Sequence, residues 1–523
     1  MRTIAGSTYC SWYPRIVERT LNITWRRFDL AAFAAGLIFP LGFAPFYLWP
    51  VSLFSVGLFF WVSTERTVWR YFLFAFGSYL VGTSWIYVSI HEHGHAPLPL
   101  AGFLVFLFVL GISLPWMAFG WLQRWLNGER KPAPMGAFLF ASLWLLREWT
   151  YTWFLGGFPW LLVGYTQVGL GWRAPFSGMV PVVGVLTTGF LLVLVTVTAV
   201  SYRHIEDRYR KWSFAVIGVL ALSTLVSLPM TWVSETGDPI RVSLVQGNIE
   251  QSTKWDPDSR GLILNTYLTL SEDEWGREIV VWPEASLTFF RDMANGILGQ
   301  ISQRAESAGS SLILGLPDMD EDGHFLNAAI AIGGGNGEYF KKRLVAFGEY
   351  VPFEDQLRGL ITFFNLPMSR NVPGPAEQPP LTAGELTISM SICFEIVFPE
   401  LVRNQAASPD LLVTISNDTW FGASLGPDQH MQMAQARAME NGRYLLRSTN
   451  NGITGVVAPN GHVSVILPRF EAGVLRAEVY AMDGDTPYRT IGDLPSVFLT
   501  MLVIVLMVAS NLKWNDESLS MKS

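Results

Sequence analysis

Two patterns of apolar and polar positions divide the chain. Segments 71–91, 93–123, 174–202, 212–234 and 494–512 contain no Asp, Glu, Lys or Arg. Each is about as long as the roughly 20 residues a bilayer-spanning helix needs. The charge-free run 30–64 has room for two spans, with Pro45 and Pro50 as the break. One more span is expected over 136–157, although it contains Arg147 and Glu148. The pattern predicts about eight transmembrane helices, seven before residue 232 and one near the C-terminus.

Between 232 and 493 short apolar runs alternate with amphipathic stretches. Strands are expected at 240–246 (IRVSLVQ), 279–282 (IVVW), 311–316 (SLILGL), 326–332, 386–392 and 411–416 (LLVTIS). Helices are expected at 260–275, 294–308, 397–405 and 427–441. The Gly-rich turn 333–337 predicts a hairpin, the Pro-rich stretch 373–380 an exposed loop, and shorter β segments close the region. Interleaved strands and helices indicate an α/β layered domain. The expected organisation is a helical membrane domain at 1–231, an α/β domain at 232–493, and a last helix with its tail at 494–523.

Composition agrees with a membrane protein. Half of the residues are hydrophobic, Trp numbers 21, and mean hydropathy is +0.30. Residues 232–493 hold 33 acidic and 18 basic side chains, a balance of −15 that argues against nucleic acid as a partner. No small-residue cleavage site follows a short apolar core, so the first span is not read as a cleaved signal peptide. Cys10 lacks an apolar run before it and is read as incidental.

Orientation follows from Lys and Arg in the short loops. Alternate loops carry Arg2, Arg15, Arg19, Arg26 and Arg27; Arg66 and Arg70; Arg124, Arg130 and Lys131; Arg203, Arg208, Arg210 and Lys211; Lys513 and Lys522. The opposite short loops carry Arg173 alone. Both termini are therefore expected in the cytoplasm and residues 232–493 outside, where a bacterium has its periplasm. A single cysteine in that stretch, Cys393, has no intramolecular disulfide partner there. A lone thiol in an oxidising compartment points to a use.

Cys393 ends a predicted strand and precedes a predicted helix in "SICFEIVFPE". A helix N-terminus there is expected to lower the thiol pKa. An inert buried thiol is the alternative. A nucleophilic thiol needs a base and a group that stabilises an oxyanion. Glu284 ends another strand in "VVWPEAS", where a raised pKa would suit a base. "YFKKRLVAFGEYVP" supplies Lys341, Lys342, Arg343 and Glu349, and a lysine there can polarise a carbonyl. Taken alone, the acid reads equally well as a surface charge and the basic run as a solvated face.

Their order carries more. Glu in "WPEAS", Lys in "YFKKRLVAFGE" and Cys in "ICFEI" resemble the nitrilase superfamily, which implies a Glu–Lys–Cys triad on an αββα sandwich. Such a domain set between seven spans and one resembles the apolipoprotein N-acyltransferase family of the bacterial inner membrane. "FAPFYLWP" (43–50), "GTSWIYVSIHEHG" (82–94), "GGFPW" (156–160), "VQGNIEQSTKWDP" (245–257), "SNDTWFG" (416–422) and "RSTNNGITG" (447–455) look like that family.

The resemblance implies transfer of an acyl chain from a phospholipid, phosphatidylethanolamine for choice, to the α-amino group of a diacylglyceryl-cysteine on an apolipoprotein. It implies a thioester on Cys393, Glu284 as base, and Lys341 for the oxyanion. Glu349 and Glu395 take supporting places; Trp255, Trp420 and Phe394 line the substrate region. Phe394 stands where the family often has Tyr, and Arg343 and Ala346 depart from its lysine-region pattern. No cofactor and no metal are implied, and a monomer is expected. The apolar stretch 359–367 (GLITFFNLP), with Phe363 and Phe364, is expected to form a lid on the outer leaflet. His91, His93 and His95 have a spacing that admits a metal, but lining the entrance is the stronger expectation. Arg147 and Glu148 are expected to face the entrance or to pair inside the bundle. The rival readings are a membrane-tethered nitrilase-type amidase acting on small amides and a membrane scaffold or transporter with a degenerate outer domain.

Overall fold

A computed structural model describes residues 13–63, 65–127, 134–202, 207–351 and 371–520. Cys10, Arg2, Arg130, Lys131, Arg203, Lys522 and the proposed lid 359–367 lie outside the described residues.

A helix stands at each place where the apolar pattern calls for one. They are Tyr13–Ile38, Trp49–Val62, Thr67–Gly82, Leu98–Ser113 continued by Pro115–Asn127, Pro134–Thr150, Val180–Ser201, Asp207–Ser227 and Leu494–Ser520. Among the described residues, two helices meet the length and hydropathy of a span on their own: Leu98–Asn127 and Ser177–Ser201. A third qualifies if Thr67–Gly82 and Trp85–His93, bent by 54° at their junction, count as one. The first helix begins at Tyr13, well before the charge-free run, so Arg15, Arg19, Arg26 and Arg27 belong to a helix rather than to a loop. At that end of the bundle Asp29 pairs with Arg66 at 2.6 Å and with Arg70 at 2.9 Å. Close packing depends on small residues. A Cβ on Gly36 would run into the Phe74 carbonyl, and one on Gly77 would meet the Phe33 carbonyl at 2.6 Å.

The α/β region is two sheets face to face. The first has six strands in the order β13–β1–β2–β3–β4–β6; the second has seven in the order β12–β11–β10–β9–β8–β7–β5. Their bounds are β1 Ser234–Gln246, β2 Ile279–Val281, β3 Ser311–Met319, β4 Phe325–Gly333, β5 Gly335–Asn336, β6 Glu338–Phe340, β7 Leu381–Ala383, β8 Leu386–Ile392, β9 Leu411–Ser416, β10 Leu445–Thr449, β11 Gly455–Val457, β12 Val463–Ile466 and β13 Gly473–Asp483. Strands β1, β2 and β3 run parallel, as do β8, β9 and β10. The Gly-rich turn does make a hairpin, β4 against β6, and its Gly335–Asn336 also pairs with β7, which ties the two sheets together. The closing strand β13 is longer than the expected short segments because it runs beside β1 along a sheet edge, where its outer positions stay polar.

Period-two alternation fills the space between the sheets. Ile388, Met390 and Ile392 of β8 meet Val242, Ile279 and Ile313 of the first sheet. On its outer face the first sheet carries the helices Arg260–Leu270 and Arg291–Ser307. The second carries Pro399–Asn404 and Gly426–Asn441, and here the core does not stop. Val402, Leu412, Met431 and Met439 join one cluster with Phe39, Trp144, Trp160 and Val185 of the helical bundle. The architecture is an αββα sandwich whose second helical layer is packed against the apolar bundle.

Candidate active site

Chemistry-bearing residues gather where strands end. Glu284 follows β2 by a short turn, Lys341 directly follows β6, and Cys393 directly follows β8. In layered α/β folds the carboxyl ends of parallel strands form such a crevice. The turn at Glu284 is pressed against β3. A Cβ on Gly315 would meet Glu284 Cα at 2.8 Å, so only glycine admits the turn this close. Cys393 has φ of +54°, a conformation that side chains rarely take and that clusters at functional sites.

Glu284 is 6% exposed and Lys341 1%. Lys341 Nζ donates to Glu349 Oε1 at 2.7 Å and reaches Glu284 Oε1 at 3.4 Å. Asn327, an amide on the inward side of β4, donates to Glu284 Oε1 at 2.8 Å and to Glu349 Oε1 at 3.1 Å. The Asn417 backbone N–H donates to Glu284 Oε2 at 2.8 Å. Burial opposes the charge on Lys341, but Glu349 and Glu284 outweigh it and hold the ammonium well above its ordinary range.

The expected lowering of the Cys393 pKa is not what the environment produces. Burial and the neighbouring Glu284 push the thiol up to about 12, with Lys341 pulling the other way. The helix that follows begins as a short 3₁₀ turn, Cys393–Val397, too brief to offset burial. At rest the sulfur is therefore a neutral thiol.

Glu395 joins the lysine loop to the cysteine loop. Its Oε1 accepts from the Lys342 N–H at 2.6 Å, the Arg343 N–H at 3.2 Å and the Tyr339 hydroxyl at 3.0 Å. Its Oε2 accepts from the Ile392 N–H at 2.8 Å. A second network lies under Cys393. His430 Nε2 donates to the Cys393 carbonyl at 3.2 Å, and Arg447 donates to Asp418 Oδ2 at 2.7 Å and to His430 Nδ1 at 3.0 Å. Burial and the Arg447 charge hold the imidazole below its usual pKa, and a neutral ring with its proton on Nε2 donates to the Cys393 carbonyl and accepts from Arg447, with Asp418 Oδ1 3.3 Å from the same Nδ1.

Aromatic side chains from both regions wall the site. Phe394 lies 6.4 Å from Phe158 and 5.2 Å from Phe398, and Phe421 meets Trp85 at 4.7 Å. "GTSWIYVSI", "GGFPW" and "SNDTWFG", far apart in sequence, therefore meet in space. Trp420 faces His93 at 5.8 Å, and its carbonyl accepts from Ser89 at 2.7 Å. Half-buried Trp255 directly follows buried Lys254, and its indole N–H has no partner among the described residues.

His91, His93 and His95 do not converge on a metal position. His91 Nδ1 is spent on the Ala96 carbonyl at 2.8 Å. Among the described residues, the group with metal-ligand spacing is Asp320, Asp322 and His324 on an exposed turn. Arg147 and Glu148 pair at 3.0 Å inside the bundle; Trp144 Nε1 and the Val163 N–H also donate to Glu148.

Sequence reasoning missed Lys254, Asn327, Asn417 and the His430–Asp418–Arg447 network. Two carried a signal. Asn327 breaks the apolar alternation of "FLNAAIAI", and Arg447 sits in the middle of a fully buried strand. Lys254 carried none beyond its place in the family-like stretch 245–257.

An acid, a lysine and a cysteine at the strand ends of an αββα sandwich define the class as a carbon–nitrogen hydrolase domain, and residues 241–485 match the Carbon-nitrogen hydrolase family. Residues 35–198 match the Apolipoprotein N-acyltransferase N-terminal domain. The chain is 42% identical over 474 residues to the apolipoprotein N-acyltransferase of Pseudomonas aeruginosa, covering 88% of this chain and 91% of that one. It is 36% identical to the one from Vibrio parahaemolyticus, over 93% and 98% of the two chains. The chain belongs to the apolipoprotein N-acyltransferase family. An amidase of the nitrilase superfamily from Nesterenkonia AN1 superposes with a TM-score of 0.35 at 22% identity, over 49% of this chain and 94% of that one. The small-amide amidase reading is not favoured, because the relatives match through the helical domain as well.

Proposed function

We propose that this membrane acyltransferase moves an acyl chain from a phospholipid, phosphatidylethanolamine for choice, to the α-amino group of a diacylglyceryl-cysteine on an apolipoprotein. Cys393 carries the chain as a thioester in a ping-pong cycle. Glu284 takes the Sγ proton as sulfur attacks the ester carbonyl, and the Lys341 ammonium stabilises the oxyanion. The C–O bond breaks, Glu284 returns the proton to the leaving alkoxide, and lysophospholipid departs. The acceptor amine then attacks the thioester, Glu284 takes its proton, and the thiolate leaves. Protonation of the thiolate by Glu284 restores the resting state. Glu349 and Glu395 hold the lysine and cysteine loops; Trp255, Trp420 and Phe394 line the acyl path.

The observation that carries this reading is the shared core: the nucleophile's sheet is joined to apolar helices by one hydrophobic cluster. A phospholipid chain costs about 0.8 kcal/mol per CH₂ to bring into water, so the donor should enter from the bilayer side. The same reading takes all eight helices as spans, the domains as 1–231, 232–493 and 494–523, both termini as cytoplasmic and the sandwich as periplasmic, in a monomer.

The test is a reaction in nanodiscs of labelled phosphatidylethanolamine with a diacylglyceryl-cysteine peptide. Lysophospholipid and N-acyl peptide should appear in equal amounts. Free fatty acid formed whether or not peptide is present would show a hydrolase instead.

A further inference from the structure

Lys254 closes the short helix Gln251–Lys254 and is fully buried. A lysine seldom goes there without a partner of opposite charge. Its Nζ donates to the Glu284 backbone carbonyl at 3.0 Å, and its charge is felt by Glu284 and by Cys393. The charges around the thiol explain the need. Glu284 and Glu349 face the single ammonium of Lys341. Asp418 is matched by Arg447 and His430 is neutral; Glu395, lifted by burial, is held by four neutral donors and brings no cation to the site. Lys341 therefore balances one of the two carboxylates beside it. Lys254 offsets the other, and the balance is unchanged when the proton passes from Cys393 Sγ to Glu284.

We propose that Lys254 is a positioning residue of the acyl-transfer site: a second buried cation that fixes the Glu284 turn and offsets the charge of the Cys393 thiolate. This rests on the reading of Cys393 as the nucleophile. Burial lowers the lysine to about 8, with the Glu284 carboxylate resisting, so its charge titrates within the pH range of the test below.

The test follows alkylation of Cys393 by iodoacetamide, read by intact mass, from mildly acidic to alkaline pH. The protein sits in nanodiscs of ether-linked phosphatidylcholine, which has no ester to transfer. Wild type, Lys254→Arg, Lys254→Met and Cys393→Ala are compared, with folding followed by thermal melting. In wild type the logarithm of the rate should rise with pH and bend downward where Lys254 loses its proton. Lys254→Arg keeps the cation and should rise without the bend. Lys254→Met should react about tenfold more slowly at neutral pH, equivalent to about one pKa unit in the thiol. The proposal is overturned if wild type and Lys254→Arg give the same profile, or if a folded Lys254→Met reacts at the wild-type rate. Should Lys254→Met not fold, the Lys254→Arg profile decides. Wild type in ester-linked phosphatidylethanolamine separates the two readings. An acyl adduct on Cys393 with unaffected lysine variants defeats this inference alone; no adduct defeats the nucleophile reading.

Discussion

On the first sheet, the Arg291–Ser307 helix buries Ala294, Leu298, Ile301 and Ala305 and leaves much of its remaining surface to solvent. That spacing is the stripe of an amphipathic surface helix. On the second sheet, the Gly426–Asn441 helix is buried at every position except half-buried Asp428. Its sequence, GPDQHMQMAQARAMEN, is just as polar. Those polar groups are spent on the helical bundle and on the site. Gln429 accepts from Trp160 Nε1 at 2.5 Å, Gln432 accepts from the Ala44 N–H at 3.0 Å and donates to the Tyr165 carbonyl at 2.9 Å, and Glu440 accepts from the Val185 N–H at 2.9 Å. His430, one turn along, holds the Cys393 carbonyl. The same helix thus docks the sandwich on the bundle and braces the Cys393 turn. A polar sequence can mark an interface as well as a surface, because bundle backbone freed from helical pairing needs partners.

The comparison sharpens first at Arg437, fully buried and paired with Glu440 at 3.0 Å. Arg437→Met leaves that carboxylate buried and unpaired and should cost about 3–5 kcal/mol of stability, measured by chemical or thermal unfolding in detergent. His430→Ala should leave the fold intact and slow acylation of Cys393 by about a hundredfold, since small displacements of a reacting group cost that much. Single-turnover kinetics would show it.

One residue type placed on both helices gives a cleaner contrast. Gln432→Ala strips partners from buried backbone groups and should cost about 1–3 kcal/mol. Gln303→Ala, exposed on the other helix, should stay within about 0.5 kcal/mol. Equal losses in a melting series would break the comparison. The smallest effect concerns pH. Burial lifts the Glu440 carboxyl from 4.5 to about 7, against the pull of Arg437. The folded state holds that proton more tightly than the unfolded one, so its contribution is full below the unfolded value and is lost as pH rises through 7. The melting temperature should fall modestly over that range, and Glu440→Gln should flatten the fall.

Much of this arrangement was legible in the chain. Runs without charge mark the helices, an alternating run marks β8 to the residue, and a short apolar run marks β9. The motif order suggests Glu284, Lys341 and Cys393 as neighbours, and they follow β2, β6 and β8, with Lys341 Nζ 3.4 Å from Glu284 Oε1. What could not be read depends on burial that only tertiary contact creates. The Gly426–Asn441 helix looks like a solvent-facing one, Lys254 looks like one more surface lysine, and the direction of the Cys393 shift depends on how deep the thiol sits and on which carboxylate lies beside it.

The most direct test of the central claim is intact mass of the purified protein after incubation with phosphatidylethanolamine, beside Cys393→Ala. The account predicts a gain of one acyl chain on wild type, removed by hydroxylamine and absent from the variant. A folded wild-type protein that gains no mass in the presence of lipid, or an adduct that persists in Cys393→Ala, would contradict it.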